Sequence, residues 1–240
     1  MCGIVGYVGK NNAQEFLLSG LKRLEYRGYD SAGVATLDQN QKPTLLRAVG
    51  KIVNLEAKIK DHYTSDQIGI GHTRWATHGN PSETNAHPHH VGSIFLVHNG
   101  IIENYKALKK ELSEKYQFKS ETDTEVLAAL IDSFYQESHD LLDSVTQALK
   151  LVSGTYGIAV MSVDDTEHLV VARSGSPLVI GVGEHETLIA SDASALIGNT
   201  KNAIYLNDGE VALISKDHVE VKTLDLQPVS VKVEKILTDL

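Results

Sequence analysis

Apolar positions along this 240-residue chain follow two rhythms. Close to the N-terminus and again after Tyr156 they come in short runs rich in Val, Ile and Leu, broken by Gly, Asn and Asp. Between about Tyr105 and Leu151 they recur every three or four residues. The first rhythm reads as strands and the second as amphipathic helices. The pattern predicts strands over residues 3–9, 33–37 and 44–49. It predicts a helix capped by Asn12, carrying Phe16, Leu17, Leu21 and Leu24 on one face and stopped by Gly28, and a shorter helix over 53–59. A strand over 68–72 leads into a long polar loop, residues 73–90, punctuated by Gly79, Pro81 and Pro88. A strand over 94–98 ends at Asn99-Gly100.

Three helices follow, over 105–115, 124–136 and 141–151. Thr122 or Asp123 is placed to cap the second, with Glu125 in its first turn. The remainder reads as strands over 158–163, 169–172, 178–182, 187–190, 203–206, 211–214 and 219–224. Tight turns such as Asp164-Asp165 and Asn207-Asp208-Gly209 separate them. Short turns favour antiparallel pairing over crossover connections. Sheet-rich ends around a helical middle predict a layered α+β domain.

Composition narrows the function. Hydrophobic residues make up 42% and charged residues 22%, with a net charge of −9. No basic block is present, so nucleic acid and membrane surfaces are not expected partners. One cysteine cannot form an intrachain disulfide, which fits a reducing compartment. No signal peptide or membrane span is readable, and the cytoplasm is the expected location.

That cysteine, Cys2, stands directly behind Met1. A lone cysteine is commonly a small core hydrophobe. With Met1 removed, however, Cys2 would carry a thiol and a free α-amine of pKa ~7.7–8.0 on one residue, a nucleophile with its own base. If Met1 is kept, the nitrogen is an amide and the base is lost. Six of the eleven histidines lie between His72 and His98. His87-Pro88-His89-His90 invites a metal reading, but Pro88 breaks helical spacing and no Cys, Asp or Glu lies at ligand spacing, so no metal is expected.

Three other segments carry candidate chemistry. The first, 72–79, holds the only tryptophan, Trp75, beside Arg74, whose planar fork suits a carboxylate, and the donors Thr77 and His78. In the second, Asn99-Gly100 pairs a side-chain amide with a backbone N–H that can approach a ligand closely, the parts of an oxyanion hole. Such a pair is equally at home in a hairpin turn. In the third, 120–125, Asp123 could hold an ammonium, although capping is the ordinary use of such a run. Together these supply a nucleophile, oxyanion donors and clamps for both ends of an amino acid.

These segments bear a resemblance. Cys2-Gly3-Ile4-Val5-Gly6 resembles the start of the class II glutamine amidotransferases, members of the N-terminal-nucleophile hydrolases. Leu24-Glu25-Tyr26-Arg27-Gly28-Tyr29-Asp30-Ser31-Ala32-Gly33 and the stretches 72–79, 85–89, 98–104 and 120–125 are similar to those members that aminate a sugar phosphate. The likeness spans nearly the whole chain. It implies a four-layer αββα sandwich of two antiparallel sheets between helical layers, and hydrolysis of L-glutamine to L-glutamate and ammonia without a cofactor. Cys2 would be the nucleophile, with Asn99 and Gly100 as the oxyanion hole. Arg74, Thr77 and His78 would hold the α-carboxylate and Asp123 the α-ammonium. Trp75 would belong to a closing loop, and Arg27 and Gly28 would brace the nucleophile. The resemblance also implies sugar isomerase domains as partners. Residues 1–240 are therefore expected to form one glutaminase domain, making ammonia but no amino sugar by themselves.

Overall fold

The computed structural model describes residues 2–76 and 79–237. The chain runs β1 (Gly3–Gly9), α1 (Ala13–Leu24), β2 (Ser31–Leu37), β3 (Pro43–Val49), α2 (Ile52–Asp61), β4 (Ile68–Arg74), β5 (His89–Val91) and β6 (Ile94–Asn99). Then come α3 (Tyr105–Leu112), α4 (Asp123–Ser138), α5 (Leu141–Leu149), β7 (Tyr156–Ser162), β8 (Leu169–Ser174), β9 (Val179–Gly183), β10 (Glu186–Ala190), β11 (Asn202–Tyr205), β12 (Glu210–Ile214), β13 (Val219–Thr223) and β14 (Glu234–Lys235). The strands build an eight-stranded sheet, ordered β14-β11-β9-β10-β1-β4-β2-β3, and a six-stranded sheet, ordered β13-β12-β8-β7-β6-β5. Every strand pair is antiparallel.

Three apolar layers hold four layers of structure together. Ile4, Ile70, Phe95, Val97, Met161 and Ile189 fill the space between the sheets. Val5, Tyr7, Val34 and Leu188 pack outward against Phe16, Leu17 and Leu21 of α1 and Leu55 of α2. On the far side Leu96, Ile158 and Val170 meet Leu127, Ile131 and Val145 of α4 and α5. Alternate residues of β1 thus serve different layers, and the result is the αββα sandwich that the resemblance implies. A strand buried on both faces has no polar side to show, so β1 reads as an unbroken apolar run.

Helix caps fall where the side chains direct. Asn12 Oδ1 accepts the Glu15 N–H at 3.0 Å, and Thr122 Oγ1 accepts the Glu125 N–H at 3.2 Å. Thr122 is thus the cap of α4, and Asp123 is its first residue.

Two of the boundaries that differ from the sequence reading border the loop between β4 and β5. β4 continues past His72 to Arg74, because Thr73 pairs with Gly3 on one side and Ala32 on the other. The loop predicted to reach His90 ends at β5, where His89 pairs with Leu96. Polarity hid both extensions. Thr73 and His89 are buried and each has a polar partner, Thr73 Oγ1 accepting the Gly3 N–H at 3.1 Å and His89 Nε2 meeting Thr122 Oγ1 at 3.0 Å.

Candidate active site

β1 and β4 are neighbours in one sheet, and β6 faces them from the other. The ends of these strands and the start of α4 converge on one cleft. Its volume is about 320 Å³, and Cys2, Arg27, Arg74, Trp75, Asn99, Gly100 and Asp123 all line it. That volume falls in the range of small-molecule sites.

Cys2 is tied to the surrounding loops. Its Sγ accepts the Trp75 N–H at 3.1 Å, and its carbonyl accepts Asn99 Nδ2 at 3.1 Å. Burial pushes the thiol above its ordinary pKa, against the opposing pull of the Trp75 N–H and the Arg74 guanidinium. Near neutral pH such a thiol is protonated and needs a base to become a nucleophile.

Asn99 ends β6 with its amide turned so that the NH2 group faces Cys2. Gly100 follows with φ of 121°, and a Cβ there would lie 2.3 Å from the Thr155 carbonyl oxygen. Only glycine fits, for both reasons. Asn99-Gly100 is therefore not a hairpin turn: the chain passes on to α3 rather than folding back on β6.

Arg74 is 3% exposed. Its guanidinium donates to the carbonyls of Gly79 at 3.2 Å and Asn80 at 3.4 Å, and lies 4.0 Å from the Asp30 carboxylate. Asp30 Oδ2 in turn accepts the Ala76 N–H at 2.5 Å, which holds the segment behind Trp75. The Trp75 side chain is 55% exposed at the cleft mouth. It lies against Gly28, where a Cβ would come 3.3 Å from the ring. Asp123 is buried, and its Oδ2 accepts the Ile102 N–H at 2.8 Å. Thr77 and His78 lie outside the described residues. Arg27 reaches Asp192, beside Ser191, whose hydroxyl accepts the Ile4 N–H at 2.9 Å. This joins Arg27 to β1, which Cys2 immediately precedes.

Sequence reasoning did not single out His98, Thr124, Asp30 or Ser191, and it gave His72 no individual role. The density of histidines was visible, but their use was not. His98 Nδ1 meets Thr124 Oγ1 at 3.0 Å and His98 Nε2 meets the Thr155 carbonyl at 3.1 Å, behind Gly100. His72 stacks on His87, with ring centroids 4.0 Å apart. Burial drives the pKa of His72 down to about 3 and that of His87 well below the usual imidazole value, so both rings are neutral. Among the described residues, no group of three His, Cys, Asp or Glu side chains is arranged to hold a metal ion.

A cysteine immediately before β1, facing an asparagine amide in a four-layer αββα sandwich, places this fold in the N-terminal-nucleophile class. The chain belongs to the glutamine amidotransferase domain family, whose model matches residues 32–235. It is 50% identical to a glutamine–fructose-6-phosphate aminotransferase (isomerizing) of Chlorobaculum tepidum, in an alignment covering 100% of this chain and 39% of that protein. It is 48% identical to the enzyme of the same name from Methanosarcina acetivorans, covering 100% and 40% respectively. The chain thus spans about two fifths of the length of these curated relatives. Among solved structures, the glutamine phosphoribosylpyrophosphate amidotransferase of B. subtilis superposes with a TM-score of 0.79 at 27% identity, over 95% of this chain and 50% of that one. Among the described residues, no helix is long and apolar enough to cross a membrane.

Proposed function

We propose that this chain hydrolyses L-glutamine to L-glutamate and ammonia, with Cys2 as the nucleophile. The reading rests above all on one observation: the Asn99 amide NH2 is 3.1 Å from the Cys2 carbonyl, in a cleft that also holds Gly100, Arg74 and Asp123. Once Met1 is removed, the Cys2 α-amine takes the thiol proton. The thiolate adds to the side-chain amide carbon, and Asn99 Nδ2 and the Gly100 N–H hold the oxyanion that forms. Collapse of the adduct expels ammonia, which leaves with the proton the amine had taken, and a γ-glutamyl thioester remains. Water, deprotonated by the same amine, then releases glutamate and restores the thiol.

In this reading Arg74 grips the α-carboxylate, with Thr77 and His78 alongside it. Asp123 takes the α-ammonium, and Trp75 shields the mouth of the cleft. Arg27 and Gly28 brace the nucleophile. No metal or cofactor is required. The similarity to fructose-6-phosphate aminotransferases supports a place in a longer cytoplasmic protein. There the ammonia passes to fructose-6-phosphate bound by sugar isomerase domains, for glucosamine-6-phosphate synthesis.

The test is glutamine hydrolysis by protein whose intact mass confirms loss of Met1. Cys2→Ser is expected to cost more than about 10³-fold in kcat while glutamate still binds, since losing a nucleophile removes the covalent route. Turnover by Cys2→Ser equal to the parent's would refute the assignment. A processed parent that binds glutamate without hydrolysing glutamine would instead make this a binding module.

A further inference from the structure

An asparagine amide has nearly the same shape either way round, but only one orientation presents its NH2 to the nucleophile. Here the orientation is set from behind. His72 Nε2 lies 2.9 Å from Asn99 Oδ1 and 3.1 Å from the His98 carbonyl, both acceptors. The other ring nitrogen, Nδ1, is buried with no partner. The proton therefore sits on Nε2, donated toward two oxygens. With Oδ1 engaged in this way, Nδ2 must point to the other side, where it meets the Cys2 carbonyl at 3.1 Å.

The ring has little freedom to do otherwise. His72 is 0% exposed and stacked on His87 at an interplanar angle of 9°. His87 Nδ1 in turn accepts the His98 N–H at 3.3 Å. A buried nitrogen without a partner is costly, and such groups are uncommon unless the site has a use for the arrangement. A histidine kept only for packing could be replaced by an apolar side chain with no effect on Asn99.

We propose that His72 is a positioning residue, whose Nε2–H fixes the Asn99 amide with its NH2 toward the oxyanion site. The proposal rests on the glutaminase reading above. His72 is fully buried and does not line the cleft, so in this role it acts through Asn99. Its neutral state suits the role, because burial holds the ring pKa at about 3.

A double-mutant cycle tests it, with kcat and KM for glutamine measured on folded, Met1-processed protein. His72→Leu removes the donor at similar bulk. It is expected to lower kcat about 10- to 100-fold with KM changed less than about 3-fold, a share of the 10²–10³ that an oxyanion donor contributes. In an Asn99→Ala background the same replacement should change kcat less than about 3-fold, because the group it positions is gone. His72→Gln restores an N–H at the end of a planar side chain and should return kcat to within about 5-fold of the parent. Equal losses in both backgrounds would overturn the proposal, as would an unimpaired His72→Leu enzyme. If His72→Leu does not fold, a folded His72→Gln enzyme as impaired as Asn99→Ala overturns it alone. Failure of the glutaminase reading is distinguishable, since it would appear as undiminished turnover in Cys2→Ser.

Discussion

At the residue scale the decisive property of Arg74 is that it is buried yet charged. Its guanidinium already serves two loop carbonyls and faces Asp30, so the fork is held in place before any ligand arrives. Arg74→Ala should raise KM for glutamine roughly 10- to 100-fold, the worth of a charge-assisted hydrogen bond of about 1.5–3 kcal/mol, with a smaller effect on kcat. Steady-state kinetics at saturating glutamine separate the two, and an unchanged KM would remove Arg74 from the carboxylate clamp. Cys2, Arg74, Asn99, Gly100 and Asp123 could be nominated from the sequence because each has a chemistry visible in its side chain or its glycine neighbour. His72 and His98 could not be given roles. The hydrogen-bond partners of their rings lie 26 residues away or more in the chain, and a buried hydrogen-bonding histidine has no local signature.

At the element scale the start of α4 does two jobs. Thr122 caps the helix, while the Glu125 carboxylate reaches back to the N–H groups of Ser120 at 2.7 Å and Lys119 at 3.0 Å and to the Ser120 hydroxyl at 2.8 Å. Asn85 ties this turn to the loop after β4: its Oδ1 accepts the Glu121 N–H at 2.9 Å and its Nδ2 donates to the Asn80 carbonyl at 2.9 Å. Asn80 also receives Arg74, so the two proposed clamps are joined through one network of loop contacts. Glu125→Ala leaves buried donors unmatched. It should destabilise the fold by about 1–3 kcal/mol and raise KM by displacing Asp123. Urea unfolding and kinetics check both, and a stability loss with KM untouched would separate the cap from the site. The cap was legible, because Thr or Asp before a helical repeat is a local signal. β5 and the end of β4 were not, because polar side chains in a sheet are indistinguishable from loop residues until their partners are known.

At the scale of the whole molecule, several neutral histidines lie inside the sandwich and its flanking turn. Burial lowers His72 and His89 to about 3, and His87 lies well below the usual value. In the unfolded chain each would bind a proton near pH 6.5. Between that pH and about 3 the unfolded state therefore holds more protons, and stability falls as pH falls. The urea midpoint should be flat between about pH 7 and 8 and drop between pH 6.5 and 4, and a midpoint unchanged down to pH 5 would contradict the neutral, buried assignment. The sequence by itself determined most of the strands and helices, their antiparallel bias and the chemical character of the residues fit to act, because apolar spacing, caps and functional groups are local properties. Only the tertiary structure decided that Cys2, Arg74, Asn99 and Asp123 share one cleft, which way the Asn99 amide faces, and that the histidines serve as hydrogen-bonding partners. Those outcomes depend on strand order and on burial by residues distant in the chain, which local patterns do not encode.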